Sequence, residues 1–291
     1  MDKYFNIKKS NLSNIYSIVV LYNPINDNIK NLSKISKLST KLYVIDNSDV
    51  VTDLISIDTN NIIYIKNDFN IGLDKALNVG IKKCLADVEC THIALFDQDS
   101  IPDNLMFKNM IKYLDKCEDN VVAVSPQIID IKQTINSTLT DIENVDVVIT
   151  SGSLYPRNAF EKVGLMDETF FIDYIDYEWC LRAKSKKYKI VRINDAILYH
   201  NMGDTFINFF GISKPLHVNK LRHYYIIRNQ LIFISRKYIP LKYRLIHFTK
   251  LFYRIPAYLF LSNDKISSWK LISKAFFDFF KNRKEYLEIK Y

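Results

Sequence analysis

Five short apolar runs, each stopped by Asn, Asp, Ser or Pro, do most to limit what this chain can fold into. "YSIVVLYNP", "KLYVIDNS", "NIIYIKN", "THIALFDQDS" and "NVVAVSPQI" follow one another through the first half of its 291 residues. Runs this short, and several of them rich in Val and Ile, read as buried strands closed by turns. Between the third and fourth, "NIGLDKALNVGIKKCLA" places Gly72 at a turn and then Leu73, Ala76, Leu77 and Ile81 at helical spacing. Pro102 is expected to open the next helix. Strands apolar on both sides, alternating with helices, predict a largely parallel α/β sheet covered on both faces. Functional residues of such sheets gather at the carboxyl ends of the strands. Here those ends carry Asn23, Asp46, Asn47, Asp97 and Asp99. Neither Gly-x-Gly-x-x-Gly nor a P-loop pattern is present, which argues against dinucleotide and P-loop enzymes.

Charge divides the chain. The formal net charge is +8, yet residues 206–291 alone carry +13 and hold 20 of the 39 aromatic residues. Two domains are therefore expected, 1–205 with the sheet and 206–291 as basic, aromatic amphipathic helices suited to lying on an anionic lipid surface or packing on the first domain. No signal peptide and no apolar window long enough to span a bilayer is read, so a cytoplasmic protein, peripheral on the membrane, is expected. Cys84, Cys90, Cys117 and Cys180 form no C-x-x-C pair and read as reduced thiols.

Two groups of acids carry the chemistry. Asp97 and Asp99 stand two apart as a strand runs out, where they either cap a turn or hold Mg²⁺ or Mn²⁺ with substrate phosphates. "FFIDYIDYEWCLR" sets Asp173, Asp176 and Glu178 among bulky aromatics. Carboxylates there are costly unless paired, cation-bound or kept for proton transfer, and Glu178 can pair with Arg182 at i,i+4.

The blocks "IVVLYNP", "VIDNS", "NIGLDKALNVGI", "LFDQDSIP" and "SGSLYPRNAFEKVGLMDETFFIDYIDYEWCLRAKSKKYKI", then "LYHNMGD" and "YYIIRN", resemble inverting glycosyltransferase family 2. The resemblance is closest to its rhamnosyltransferase-like members, in which Gln98 between the two aspartates is typical. It implies the GT-A fold, a Rossmann-like, mostly parallel sheet flanked by helices. It also implies Asp46 beside the nucleotide base, Asn23, Asn70 and Gly72 in the loops around the nucleotide, and Gly152 where backbone meets the donor sugar. Asp97 would serve the ribose or the metal, Asp99 and His200 the metal, and Arg228 the diphosphate. Asp176 aligns with the catalytic base, with Asp173 as its rival. Ile175 before it, and Asp74 after the Gly72 turn, depart from the family pattern.

The activity so implied is metal-dependent transfer of L-rhamnose from dTDP-L-rhamnose to a cell-surface polysaccharide or lipid-linked glycan precursor. UDP-galactofuranose or a UDP-hexose is the alternative donor. A nucleic-acid-binding protein would account for the basic tail but not for the acidic strand ends, and no nucleic-acid-binding signature is present.

Overall fold

The computed structural model describes residues 13–53, 60–130, 142–200, 206–209, 212–215, 220–261 and 264–281. The first strand, β1 (Ile15–Leu21), is buried at every position. It lies between parallel β2 (Lys41–Asp46) and β4 (His92–Asp97), with β3 (Ile62–Lys66) parallel beyond β2. Successive side chains of a strand point to opposite faces, and both faces are covered. Ile18 and Val20 meet Ala76, Leu77 and Ile81 of α2 (Leu73–Ala86). Val19 and Leu21 meet Leu32 and Ile35 of α1 (Asn26–Lys37) and Met106 and Met110 of α3 (Met106–Leu114). Register places Leu21 opposite Asp46 and Val20 opposite Asp97, so the polar strand ends share one edge.

Beyond β4 the sheet turns mixed. A three-residue strand, β8 (Leu154–Pro156), runs antiparallel between β4 and β6 (Val121–Asp130), and β9 (Lys189–His200) runs parallel to β6. Two short strands, β5 (Ile101–Pro102) and β7 (Ile142–Val145), pair antiparallel with β9. Pro102 does not open a helix: it sits in β5 opposite Leu198, and α3 starts only at Met106. A strand of two residues tolerates a proline because few ladder hydrogen bonds are lost. The link from β8 to β9 carries α4 (Ala159–Val163) and α5 (Ile175–Ser185).

The basic region begins not with a helix but with an antiparallel pair, β10 (Phe206–Phe209) and β11 (Ile212–Pro215). Three helices follow, α6 (Lys220–Ser235), α7 (Leu241–Leu261) and α8 (Lys265–Phe280). They share a core with Phe171, whose ring stacks on Tyr225 at 4.8 Å. Phe233 of α6 reaches the cluster that holds Trp179 and Tyr155. Among the described residues no helix is long and apolar enough to cross a membrane.

Candidate active site

Asp97 ends β4, Asp99 follows in the turn, and His200 ends β9, so three strand-end residues from distant parts of the chain converge. One ligand atom from each lies within 4.8 Å of the others. His200 Nε2 is 4.0 Å from Asp97 Oδ2, and His200 Nδ1 is 3.4 Å from Asp99 Oδ1. Burial pushes the Asp97 carboxyl above its ordinary range; His200 opposes the rise, Asp99 adds to it and Arg222 opposes it. Two carboxylates and an imidazole form a donor set that suits Mn²⁺ or Mg²⁺, and a divalent cation would relieve the crowding of negative charge.

Two serines outside the sequence reading brace this cluster. Ser151 Oγ accepts from the Asp97 N–H at 3.0 Å and lies 2.6 Å from Ser100 Oγ, which in turn lies 3.1 Å from His200 Nδ1. A His200 Nδ1–H donating to Ser100 leaves the Nε2 lone pair for a cation. Gly152 makes the turn that brings Ser151 there: its φ is +75°, and a Cβ would sit 2.8 Å from Leu198 Cδ2. Gln98 accepts from the Tyr22 N–H at 2.9 Å, which ties the Asp97–Asp99 turn to the end of β1.

The three acids around α5 have separate fates. Arg222 of α6 grips Asp173 with two hydrogen bonds, 2.9 and 3.1 Å. Glu178, fully buried, accepts from Arg182 at 2.7 and 2.9 Å and from the Tyr238 hydroxyl at 2.6 Å. Asp176 is half-buried and forms no ion pair among the described residues; its carboxylate accepts from the Tyr177 N–H. Burial pushes the Asp176 carboxyl up to about 7, opposed by that N–H and reinforced by the charges of Asp173 and Asp97.

The segment leading into α5 is unusual backbone. Phe171, Asp173 and Tyr174 have φ of 65°, 63° and 68°, a region that costs bulky residues on the order of 1 kcal/mol or more each. Side chains hold it there. Asn229, buried in α6, donates to the carbonyls of Phe170 (2.7 Å) and Ile172 (2.6 Å), and Asp74 accepts from the Phe171 N–H at 2.6 Å. Asp74 is thus a structural tie, which accounts for an acid after the Gly72 turn. Tyr174 caps the segment, with its hydroxyl 2.9 Å from His247 Nδ1 and accepting from Arg254 at 3.0 Å, both residues of α7.

The other residues singled out in the sequence shape loops. Asp46 is buried and accepts from the N–H groups of Ser48 (2.8 Å) and Thr52 (3.1 Å) and from the Tyr64 hydroxyl. Burial would raise it, but these hydrogen bonds win and hold it below its ordinary value. Asn23, at φ 44°, donates its N–H to Ser48 Oγ at 2.8 Å and helps line a cleft of about 970 Å³ between α1 and residues 48–53. Asn70 Oδ1 accepts from the Gly72 N–H at 3.0 Å. Gly72, at φ +93°, has the Phe171 ring 2.7 Å from where a Cβ would be. Arg228 is buried behind the 169–174 segment and donates to the Thr169 carbonyl at 2.9 Å.

Comparison with known proteins agrees with this architecture. The glycosyl transferase family 2 model matches residues 18–173. The dTDP-rhamnosyl transferase RfbF of Shigella flexneri is 31% identical over 250 residues, 79% of this chain and 82% of that protein. Among solved structures, GalNAc-T7 with UDP, GalNAc and Mn²⁺ superposes with a TM-score of 0.55 at 14% identity, covering 82% of this chain and 55% of that one. S. aureus TarS gives 0.55 at 14% identity, covering 92% and 48%. The chain thus spans about half the length of each of these two structures, and at such identities they speak for the GT-A fold alone. Family model, curated relative and fold agree: the chain belongs to glycosyl transferase family 2 and is a glycosyltransferase of the GT-A fold.

Proposed function

We propose that the chain transfers L-rhamnose from dTDP-L-rhamnose, with inversion, to a hydroxyl of a cell-surface glycan or its lipid-linked precursor. The observation that carries the mechanism is the contrast within one segment: Asp173 and Glu178 are neutralised by arginines, whereas Asp176 has no ion pair among the described residues and its carboxyl is raised to about 7. A general base works best with a pKa near the operating pH. Asp176 takes the proton of the acceptor hydroxyl as that oxygen attacks the anomeric carbon, and the bond from that carbon to the diphosphate oxygen breaks on the opposite side. Asp97, Asp99 and His200 would hold the Mg²⁺ or Mn²⁺. When bound, the cation neutralises the departing nucleoside diphosphate. The donor choice rests on the likeness to the Shigella rhamnosyl transferase.

The donor is tested by thermal shift against dTDP-, UDP- and GDP-sugars with and without Mn²⁺, because a ligand that binds the native state raises the melting temperature with its occupancy. The expected result is a Mn²⁺-dependent rise with dTDP-L-rhamnose that exceeds the rise with the other donors. A larger rise with a UDP-sugar would overturn the donor.

The raised Asp176 carboxyl also predicts a stability change. A carboxyl whose folded pKa lies above its unfolded value supports the fold fully below the unfolded value and loses that support as pH rises to the folded one, here from about 4 to about 7. Asn does not ionise. In cation-free buffer, Asp176→Asn should therefore gain on the parent between about pH 5 and about pH 8, by on the order of 2 kcal/mol. Melting curves at both values check this; a constant difference between the two proteins would remove the account.

A further inference from the structure

We infer that the outward faces of α7 and α8 dock the enzyme on an anionic phospholipid surface, with aromatic side chains entering the bilayer interface. On α7, Leu241, Leu245, Phe248 and Phe252 recur at spacings of four, three and four, and all are exposed, Phe252 at 69%. On α8, Ile266, Trp269, Phe277 and Phe280 are likewise exposed, Trp269 at 60% and Phe280 at 77%. A protein rarely leaves two rows of large apolar side chains in water without a partner. The charges around it select the partner. α7 contains no acidic residue, and the one acid of α8, Asp278, is buried, bonded to Tyr224 and Lys274. Lys242, Lys265, Lys270 and Lys281 are exposed on or beside these helices. Apolar stripes edged by lysine, on helices too polar to span a bilayer, fit the interface of an anionic membrane.

The inner side of α7 adds a consequence. Its His247 and Arg254 meet the hydroxyl of Tyr174, the residue that caps α5 just before Asp176. Docking by the outer side of that helix would hold the segment that carries Asp176 one helix diameter, roughly 10 Å, from the lipid surface, within reach of a lipid-linked glycan. This last step rests on the reading of Asp176 given above; the docking does not.

The test uses the two tryptophans. Trp179 is buried, so Trp269 alone can report contact with lipid. The full chain should sediment with vesicles of phosphatidylcholine and phosphatidylglycerol, and roughly tenfold or more less with phosphatidylcholine alone, since each basic side chain near an anionic surface contributes about a factor of five. Trp269 emission should shift to the blue and be quenched by brominated lipid. Lys270→Glu with Lys281→Glu should abolish the preference for anionic vesicles. Phe252→Ser with Phe277→Ser should weaken binding to both kinds; these positions are exposed, so the melting temperature should hold. Equal partition onto the two vesicles, or unquenched Trp269, would overturn the proposal. So would a dimer that shields Trp269 and is dissolved by Phe252→Ser, or a Trp269 already inaccessible to acrylamide in the monomer. Transfer to a water-soluble acceptor is followed in parallel. Transfer without vesicle binding overturns the docking alone, and vesicle binding with parental transfer by Asp176→Asn leaves the docking standing and overturns the reading of the site.

Discussion

Asp176→Asn is expected to bind donor and cation as the parent does while its single-turnover transfer rate falls roughly 10²- to 10⁴-fold, the usual contribution of a general base. The carboxamide nearly preserves shape, and the candidate metal ligands belong to other elements, β4 and β9. Asp173→Asn should behave differently. It loses the two hydrogen bonds from Arg222 and leaves that guanidinium short of a partner at the mouth of a strained segment. Loss of stability should therefore accompany any loss of rate. Donor affinity, melting temperature and single-turnover rate measured for both variants separate the two roles. An Asp176→Asn protein that transfers at the parental rate would falsify the assignment of the base, and an Asp173→Asn protein with parental stability and the full rate defect would move it to Asp173.

Removing the cation should cost a comparable factor. A metal that neutralises a leaving diphosphate contributes several kcal/mol at the transition state, a factor of roughly 10³ or more. Chelation should silence the parent, and Mn²⁺ should restore it. Asp99→Asn should keep its melting temperature without ligand, because the Asp99 carboxylate is partly exposed and its described ionic neighbour is His200, but should lose the Mn²⁺-dependent part of donor binding. Parental transfer by Asp99→Asn in the presence of chelator would remove the metal from the mechanism.

The parallel strands and their polar ends were largely legible in the sequence, and the stretch from β8 through α6 was not. The runs ending at Leu21, Asp46 and Asp97 became adjacent parallel strands because each is apolar on both faces and short. Asp97, Asp99 and His200 met as the family resemblance implied, and the i,i+4 pair of Glu178 and Arg182 formed. The strands β8 and β9 were missed for physical reasons. β8 has three residues and no measurable period, and "KIVRINDAILYH" carries a register shift against β6 that breaks its alternation. Pro102, a usual helix opener, was claimed instead by an edge pairing that no local signal announces. The turn at residues 171–174 contains no glycine, so nothing in its composition marks left-handed backbone. Its conformation is imposed by Asn229, Arg222 and Asp74, which lie from about 49 to 97 positions away in the chain. Ser100 and Ser151 were invisible for the same reason, being defined by what they reach across the sheet edge.

The grip of Asn229 on the carbonyls before α5 bears on how the protein is made. Synthesis runs from the amino end, so a nascent chain that has just released β9 already contains the whole nine-stranded sheet and the Asp97, Asp99 and His200 cluster. The segment that carries Asp176 still lacks the amide that holds its left-handed turn until α6 emerges some thirty positions later. Domains generally fold as units while they leave the ribosome. Here the grip on the segment before α5 comes late in that sequence, so a chain cut short before residue 229 would carry the strand-end cluster without the amide that holds the turn ahead of Asp176.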